Sequence, residues 1–152
     1  MDKPTHLIEY ETMVMGRHVH MGARSSRAIG GLERSAYILL SRLQMQGPMT
    51  ITELSGAFGL DASTLNRQTA GLTREGLAER IPDADGGIAR KFRITEQGVG
   101  RLEKVRAETI GFLDLMMGDW TTREVADFAA YLKRFNADIE RMDGRPWPRP
   151  EE

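Results

Sequence analysis

Apolar positions recur every three to four residues over most of this chain, and alternate with polar ones only briefly near its middle. The first spacing predicts amphipathic helices, the second a short strand. Thr5 follows Pro4 at the start of a run in which Leu7, Tyr10, Val14, His18 and Met21 share one helical face, until Gly30-Gly31 breaks it. A second helix is expected from about Leu32 to Gln46, with Leu32, Ala36, Leu39, Leu40 and Leu43 inward, and Gly47-Pro48 as its stop. Thr50-Ile51-Thr52-Glu53 reads as a capping box, flanked by Met49 and Leu54 as a staple, and opens a short helix that buries Ile51, Leu54 and Phe58. Gly59 permits a tight turn. Asp61 then suits the N-cap of a helix over about Ala62 to Glu75 whose inward residues are Leu65, Thr69 and Leu72, with Gly76 as its end.

Two strands are expected next. Leu77 to Ile81 leads into the turn-rich run Pro82 to Gly87, and Arg90 to Ile94 returns with Phe92 and Ile94 on one face. A long helix follows from near Thr95, with Val99, Leu102, Val105, Thr109, Phe112, Leu113 and Met116 on its apolar side. A second capping box, Thr121 to Glu124 with Trp120 and Val125 as staple, opens a last helix. Its apolar residues Val125, Phe128, Leu132, Phe135, Ile139 and Met142 alternate by three and four, the spacing of a coiled-coil seam. That seam can face either its own chain or a second copy. Residues from Gly144 on include three prolines and no periodicity, and read as extended or mobile. The fold class is therefore mainly α with a small β-hairpin.

Composition adds mostly exclusions. The net charge of −1 gives no bulk attraction to nucleic acid, so any such surface must be a local patch built by the fold. There is no cysteine, which excludes disulfides, thiolate catalysis and thiol-based redox sensing. The N-terminus lacks an apolar signal-peptide core, and no apolar stretch approaches the ~20 residues that span a bilayer. The expectation is a cytoplasmic protein with no membrane partner. No metal cluster, glycine-rich phosphate loop or nucleophile motif stands out, so neither an enzyme nor a cofactor is expected. His18 and His20 fall on different sides of a helix and make a poor ligand pair.

The middle of the chain carries the chemistry. Two short helices joined by a glycine turn form a helix-turn-helix, whose second helix can enter the major groove of duplex DNA. Its outward residues Ser63, Thr64, Asn66, Arg67 and Gln68 offer hydroxyls, amides and one guanidinium, the groups that bond base edges and phosphates. Between Asp61 and Glu75 the face holds no acid to repel phosphate. Arg90, Lys91 and Arg93 cluster on the return strand of the hairpin, where they could grip phosphates or a narrow minor groove. A polar helix face taken alone is normally just solvated, and the same fold also serves as a protein-interaction module without DNA binding. It is the order helix, turn, helix, basic hairpin that favours a DNA reader.

The run Met49-Thr50-Ile51-Thr52-Glu53-Leu54, then Phe58 to Arg67, Leu72 and Gly76 to Arg80, resembles the core of the MarR family of bacterial regulators. Ile94-Thr95-Glu96-Gln97-Gly98 is similar to the element that follows that family's wing. The resemblance implies a winged helix-turn-helix over residues 32–98, an N-terminal dimerisation helix over 1–31, C-terminal dimerisation helices over 99–143 and a Pro-rich tail over 144–152. It further implies a homodimer on a palindromic operator, acting as a transcriptional regulator, usually a repressor, with Ser63, Thr64, Asn66, Arg67 and Gln68 reading DNA. The family wing usually carries an arginine close after an aspartate, whereas here Gly86-Gly87 follow Asp85. Arg90 is the first replacement candidate and Lys91 the second. Many members of that family release DNA on binding a small aromatic or phenolic effector between the dimerisation helices and the DNA-binding lobe. Met13, Arg17, His20, Met21, Tyr37 and Met45 are the candidate lining residues, with core or dimer-interface packing as the alternative role for each.

Overall fold

A computed structural model describes residues 2–26, 32–82 and 90–151. The elements among the described residues are six helices and a small sheet: α1 (Thr5–Ser26), α2 (Arg34–Gln46), β1 (Met49–Thr50), α3 (Ile51–Phe58), α4 (Ala62–Arg74), β2 (Ala78–Ile81), β3 (Lys91–Ile94), α5 (Glu96–Met116) and α6 (Thr122–Asp143). The helix pattern of the sequence is thus present from end to end. The sheet is larger than the expected hairpin. It has three antiparallel strands in the order β1-β3-β2, because Met49 and Thr50 pair with Phe92 and Lys91. Two residues are too few to leave a period in the sequence, so β1 exists only through its partner.

The core lies where α2, α3, α4 and the sheet meet. Leu39, Leu40, Leu43, Met49, Leu54, Leu65, Leu72, Leu77, Phe92 and Leu102 are all buried in one cluster. Each fully buried Leu or Phe contributes about 1.5–3 kcal/mol relative to exposure, so these residues hold the winged helix together. Leu32 joins the cluster although α2 begins two residues after it. Local signals set the element ends. The Thr50 hydroxyl accepts the Glu53 N–H at 3.1 Å, but the expected return bond of the box is replaced by Thr50 donating to the Glu53 carboxylate at 3.2 Å. At Thr121 both halves of the capping box are present. Asp61 sits at the N-cap of α4 with extended backbone, yet its side chain makes no capping bond.

One junction ties α4 to the rest. The Leu77 N–H reaches back to the Leu72 carbonyl at 2.9 Å, and the Thr95 N–H donates to the Leu77 carbonyl at 3.0 Å. The Thr95 hydroxyl donates to the Gly76 carbonyl at 2.6 Å and accepts the Gly98 N–H at 3.0 Å. Helix α5 comes so close here that a Cβ on Gly98 would lie 2.1 Å from the Leu77 carbonyl oxygen.

The ends of the chain behave differently. No side chain of α6 is buried, and Phe128, Tyr131, Phe135, Ile139 and Met142 are exposed. On α1, Leu7, Ile8, Tyr10, Met13 and Met15 are exposed as well. The expected seam of α6 therefore does not bury itself in its own chain. The tail takes the extended alternative of the sequence reading, and it is seated against the rest of the chain. The Trp147 ring meets Phe58 edge-on at 5.3 Å, and Arg42 lies over the Trp147 ring at 4.8 Å.

Gly98→Ala should force apart two backbones that have no slack. The expected cost is about 1–3 kcal/mol or more, read as a lower urea midpoint. An unchanged midpoint would show that the approach of α5 to Leu77 is not tight in solution.

Candidate nucleic-acid interface

Helix α4 is held by its apolar stripe and presents its polar stripe outward. Leu65 and Thr69 are fully buried, and Leu72 nearly so. The Thr69 hydroxyl would be an orphan there, but it donates to the Leu65 carbonyl at 2.7 Å. On the other side Ser63, Asn66 and Arg67 are exposed, while Thr64 and Gln68 are half-buried. All five sequence candidates thus lie along the first two turns of one helix. Arg67 forms no ion pair with any described residue, so its guanidinium is available to an external acceptor.

Helix α3 packs on α4 and fixes its angle. The turn between them is defined by Gly59, left-handed at φ 64°, whose N–H donates to the Ser55 carbonyl at 2.9 Å. The Ser55 hydroxyl also donates to the Leu60 carbonyl at 2.5 Å, closing the turn from the other side. Left-handed backbone is accessible to glycine at little cost, which is why the turn needs it.

The hairpin cations separate into different roles. In the β2–β3 register Glu79 faces Arg93 and Arg80 faces Phe92. Arg93 donates to the Glu79 carboxylate from Nε at 3.0 Å and from Nη2 at 2.5 Å. Arg80 lies over the Phe92 ring at 5.1 Å. Arg93 is therefore already engaged within the sheet, which weakens its expected place beside Arg90 and Lys91. The pairing depends on the observed register, in which Ile81 faces Lys91, and opposite charges pair across strands. Arg90 is exposed just before β3, and Lys91, the first residue of that strand, is half-buried with a partner of its own. The hairpin tip, Gly86-Gly87, lies outside the described residues.

Four of the candidate effector residues have described side chains. Met13 and Arg17 are exposed on α1, Tyr37 is half-buried on α2, and Met45 is exposed near the end of α2. Helix α1 does not pack extensively on α2. His20 and Met21 belong to α1, and their side chains lie outside the described residues.

This geometry has counterparts among known proteins. The profile of the MarR family matches residues 30–87. The chain is 36% identical over 133 residues to the uncharacterised HTH-type transcriptional regulator YxaD of Bacillus subtilis (strain 168), covering 88% of this chain and 93% of that one. Its fold is similar to that of a MarR family protein from Bacillus stearothermophilus, with a TM-score of 0.77 at 19% identity over 91% of this chain and 99% of the other. It is also similar to the crystal structure of MarR, with a TM-score of 0.74 at 22% identity over 95% and 97% of the two chains.

The division of α4 into an anchoring and a presenting face has a direct thermodynamic signature. Leu65→Ala should cost about 2–5 kcal/mol of stability, whereas Ser63→Ala, Asn66→Ala and Arg67→Ala should each stay within about 0.5 kcal/mol. Chemical denaturation checks both. A large loss at Asn66 or Arg67 would mean that those side chains hold the fold and are not free for a ligand.

Proposed function

The chain belongs to the MarR family of transcriptional regulators, and from that premise we propose that it reads a palindromic operator as a homodimer, most simply as a repressor, in the cytoplasm. The observation that carries this reading is helix α4: an anchored helix that exposes Ser63, Asn66 and Arg67 together, with Arg67 unpaired among the described residues. Asn and Gln match adenine and Arg matches guanine in the major groove, while Ser and Thr suit phosphates or either base type. Arg90 at the base of the wing, and Lys91 after it, supply charge beside that helix. Arg93 contributes less because Glu79 neutralises it.

Dimerisation is supported by the surface of the single chain. It exposes 11449 Å² at 17.1 kDa, against about 7,700 Å² for a compact monomer of that mass. Exposed large apolar side chains lie on α1, α5 and α6, at Tyr10, Met13, Ile110, Phe112, Phe128, Phe135 and Ile139. Covering such faces is what obligate homodimer interfaces do. A shared wall lined by Met13, Arg17, His20, Met21, Tyr37 and Met45 then depends on the second chain. A small aromatic or phenolic effector held there would bias the spacing of the two lobes. The family consists of regulators and not enzymes, and no helix among the described residues is long and apolar enough to cross a membrane.

Selecting bound fragments from the source genome identifies the operator. On that duplex Arg67→Ala should lose about 1–3 kcal/mol, roughly 5- to 150-fold in affinity at fixed salt. Wild-type affinity should fall steeply as salt rises, since phosphate contacts release counterions. Binding without salt dependence, or none at all, favours an interaction module instead.

Phe135→Glu places a charge in the apolar face of α6. It should turn a dimeric mass at micromolar concentration into a monomeric one in sedimentation. A monomeric wild type would remove the two-fold reading, because the dimer sets the half-site spacing.

A further inference from the structure

The tail beyond α6 is built as a brace. Helix α6 ends at Gly144, left-handed at φ 68°, and the Arg145 N–H donates to the Glu140 carbonyl at 3.2 Å. The chain then turns back along the helix. Trp147 donates its N–H to Glu140 Oε2 at 3.2 Å. Arg149 grips the same carboxylate, with Nη1 on Oε2 at 3.0 Å and Nη2 on Oε1. These bonds hold residues 145–149 in one shape against the end of α6. The hydrogen bond from the Arg149 guanidinium also holds the Glu140 carboxyl below its usual range.

The other side of this loop is seated on the helix-turn-helix. The Trp147 ring packs edge-on against Phe58, the last residue of α3. The Arg145 guanidinium lies over the turn, within 2.7 Å of where a Cβ on Gly59 would stand. Arg42, buried on α2, stacks over the same indole at 4.8 Å and donates to the Pro146 carbonyl at 3.4 Å. It donates as well to Gln46 Oε1 at 2.8 Å. Helix α6 itself packs extensively on no other described element. The tail is therefore its principal attachment to the winged helix among the described residues.

We propose that residues Arg145–Arg149 form a positioning brace, in which Trp147, sandwiched by Phe58 and Arg42, fixes the α3–α4 turn relative to α6 and so sets the spacing of the two reading helices. Trp147 touches no DNA in this scheme; it acts through Phe58 and the turn that aims α4. The effect on operators rests on the DNA-binding reading above, while the brace itself is a property of the free protein. A lobe that swings on α5 alone visits the two-half-site geometry only part of the time, and affinity falls by that fraction.

The test uses the full-length protein with Trp147→Ala, and with Trp147→Phe as the conservative partner. In the absence of DNA, amide exchange at residues 58–62 should accelerate about tenfold in Trp147→Ala. The dimer mass and the protection of the Leu39–Leu43 core should be unchanged. On the selected operator, affinity should drop about tenfold if the competent geometry is populated about one-tenth of the time. Preference for the native half-site spacing should also flatten in a series of duplexes with altered spacing, while binding to non-specific duplex stays the same. Trp147→Phe should restore most of each effect. Unchanged exchange at 58–62 overturns the brace, whatever the DNA results. So does a loss shared equally by specific and non-specific duplex, which marks a folding defect. Failure of the wild type to bind any duplex sinks the DNA reading and leaves the exchange test standing.

Discussion

The carbonyl of Leu77 is where the end of α4, the sheet and α5 are held together. It accepts the Thr95 N–H at 3.0 Å and lies against Gly98, where a side chain has no room. From this atom outward α4 ends, β2 begins, β3 returns and α5 departs. Interiors are close-packed and transmit displacements instead of absorbing them. A shift of α5 therefore moves the end of α4. The Gly76 carbonyl, bound by the Thr95 hydroxyl at 2.6 Å, adds a second fixed point one residue away. The glycine of the Thr95-Glu96-Gln97-Gly98 element is thus explained by contact.

Two further ties limit how the lobe can turn about that junction. Gln44 on α2 donates to Glu103 at 3.2 Å, Arg106 donates to Glu103 at 2.6 Å, and Arg106 reaches back to Gln44 at 3.3 Å. This closed ring links α2 to α5 on a half-exposed surface, where each ion pair is worth under about 1 kcal/mol. Its value is geometric: three side chains that satisfy one another define one arrangement. The third tie is the tail on Phe58. The lobe is thereby attached to α5 by backbone contact, to its flank by polar contact and to α6 by aromatic contact. Interactions of different ranges and chemistries restrict rotation more than three of one kind at one point.

The sequence made the helices legible because each carries a full turn of apolar repeats between identifiable stops. Gly47-Pro48, Gly59, Gly76 and the Thr121 box fall at ends of elements that the structure also has. What it could not supply were features whose cause lies far away in the chain. Strand β1 is two residues long and becomes a strand only beside Phe92 and Lys91. The tail has no period, and nothing near Trp147 announces that Phe58 and Arg42 await it. Arg42 lies on the buried side of α2 among Leu39, Leu40 and Leu43. An arginine among leucines was the available clue that a distant partner exists. On α4, the position of the five candidates opposite the apolar stripe was legible, because that stripe is complete in the sequence. The division of labour between Arg90 and Arg93 was not, since it depends on strand register.

Helix α6 sharpens the relation between assembly and stability. It has 22 residues, a complete capping box at one end and a left-handed glycine at the other, and no buried side chain. Caps define where such a helix starts and stops, but most helical stability in proteins comes from packing an apolar face. Its exposed Phe128, Tyr131, Phe135 and Ile139 are that face without its complement. On the dimer reading, the second chain supplies the missing packing, and the free energy of forming α6 becomes part of the free energy of association. Stability then rises with protein concentration. The brace at Trp147 extends this coupling to the reading helix: what orders α6 also orders the turn at Gly59. A chain of near-zero net charge can hold little affinity in long-range attraction. On the DNA-binding reading, specificity has to come from donors such as Arg67 that are already at a fixed separation when they reach the groove.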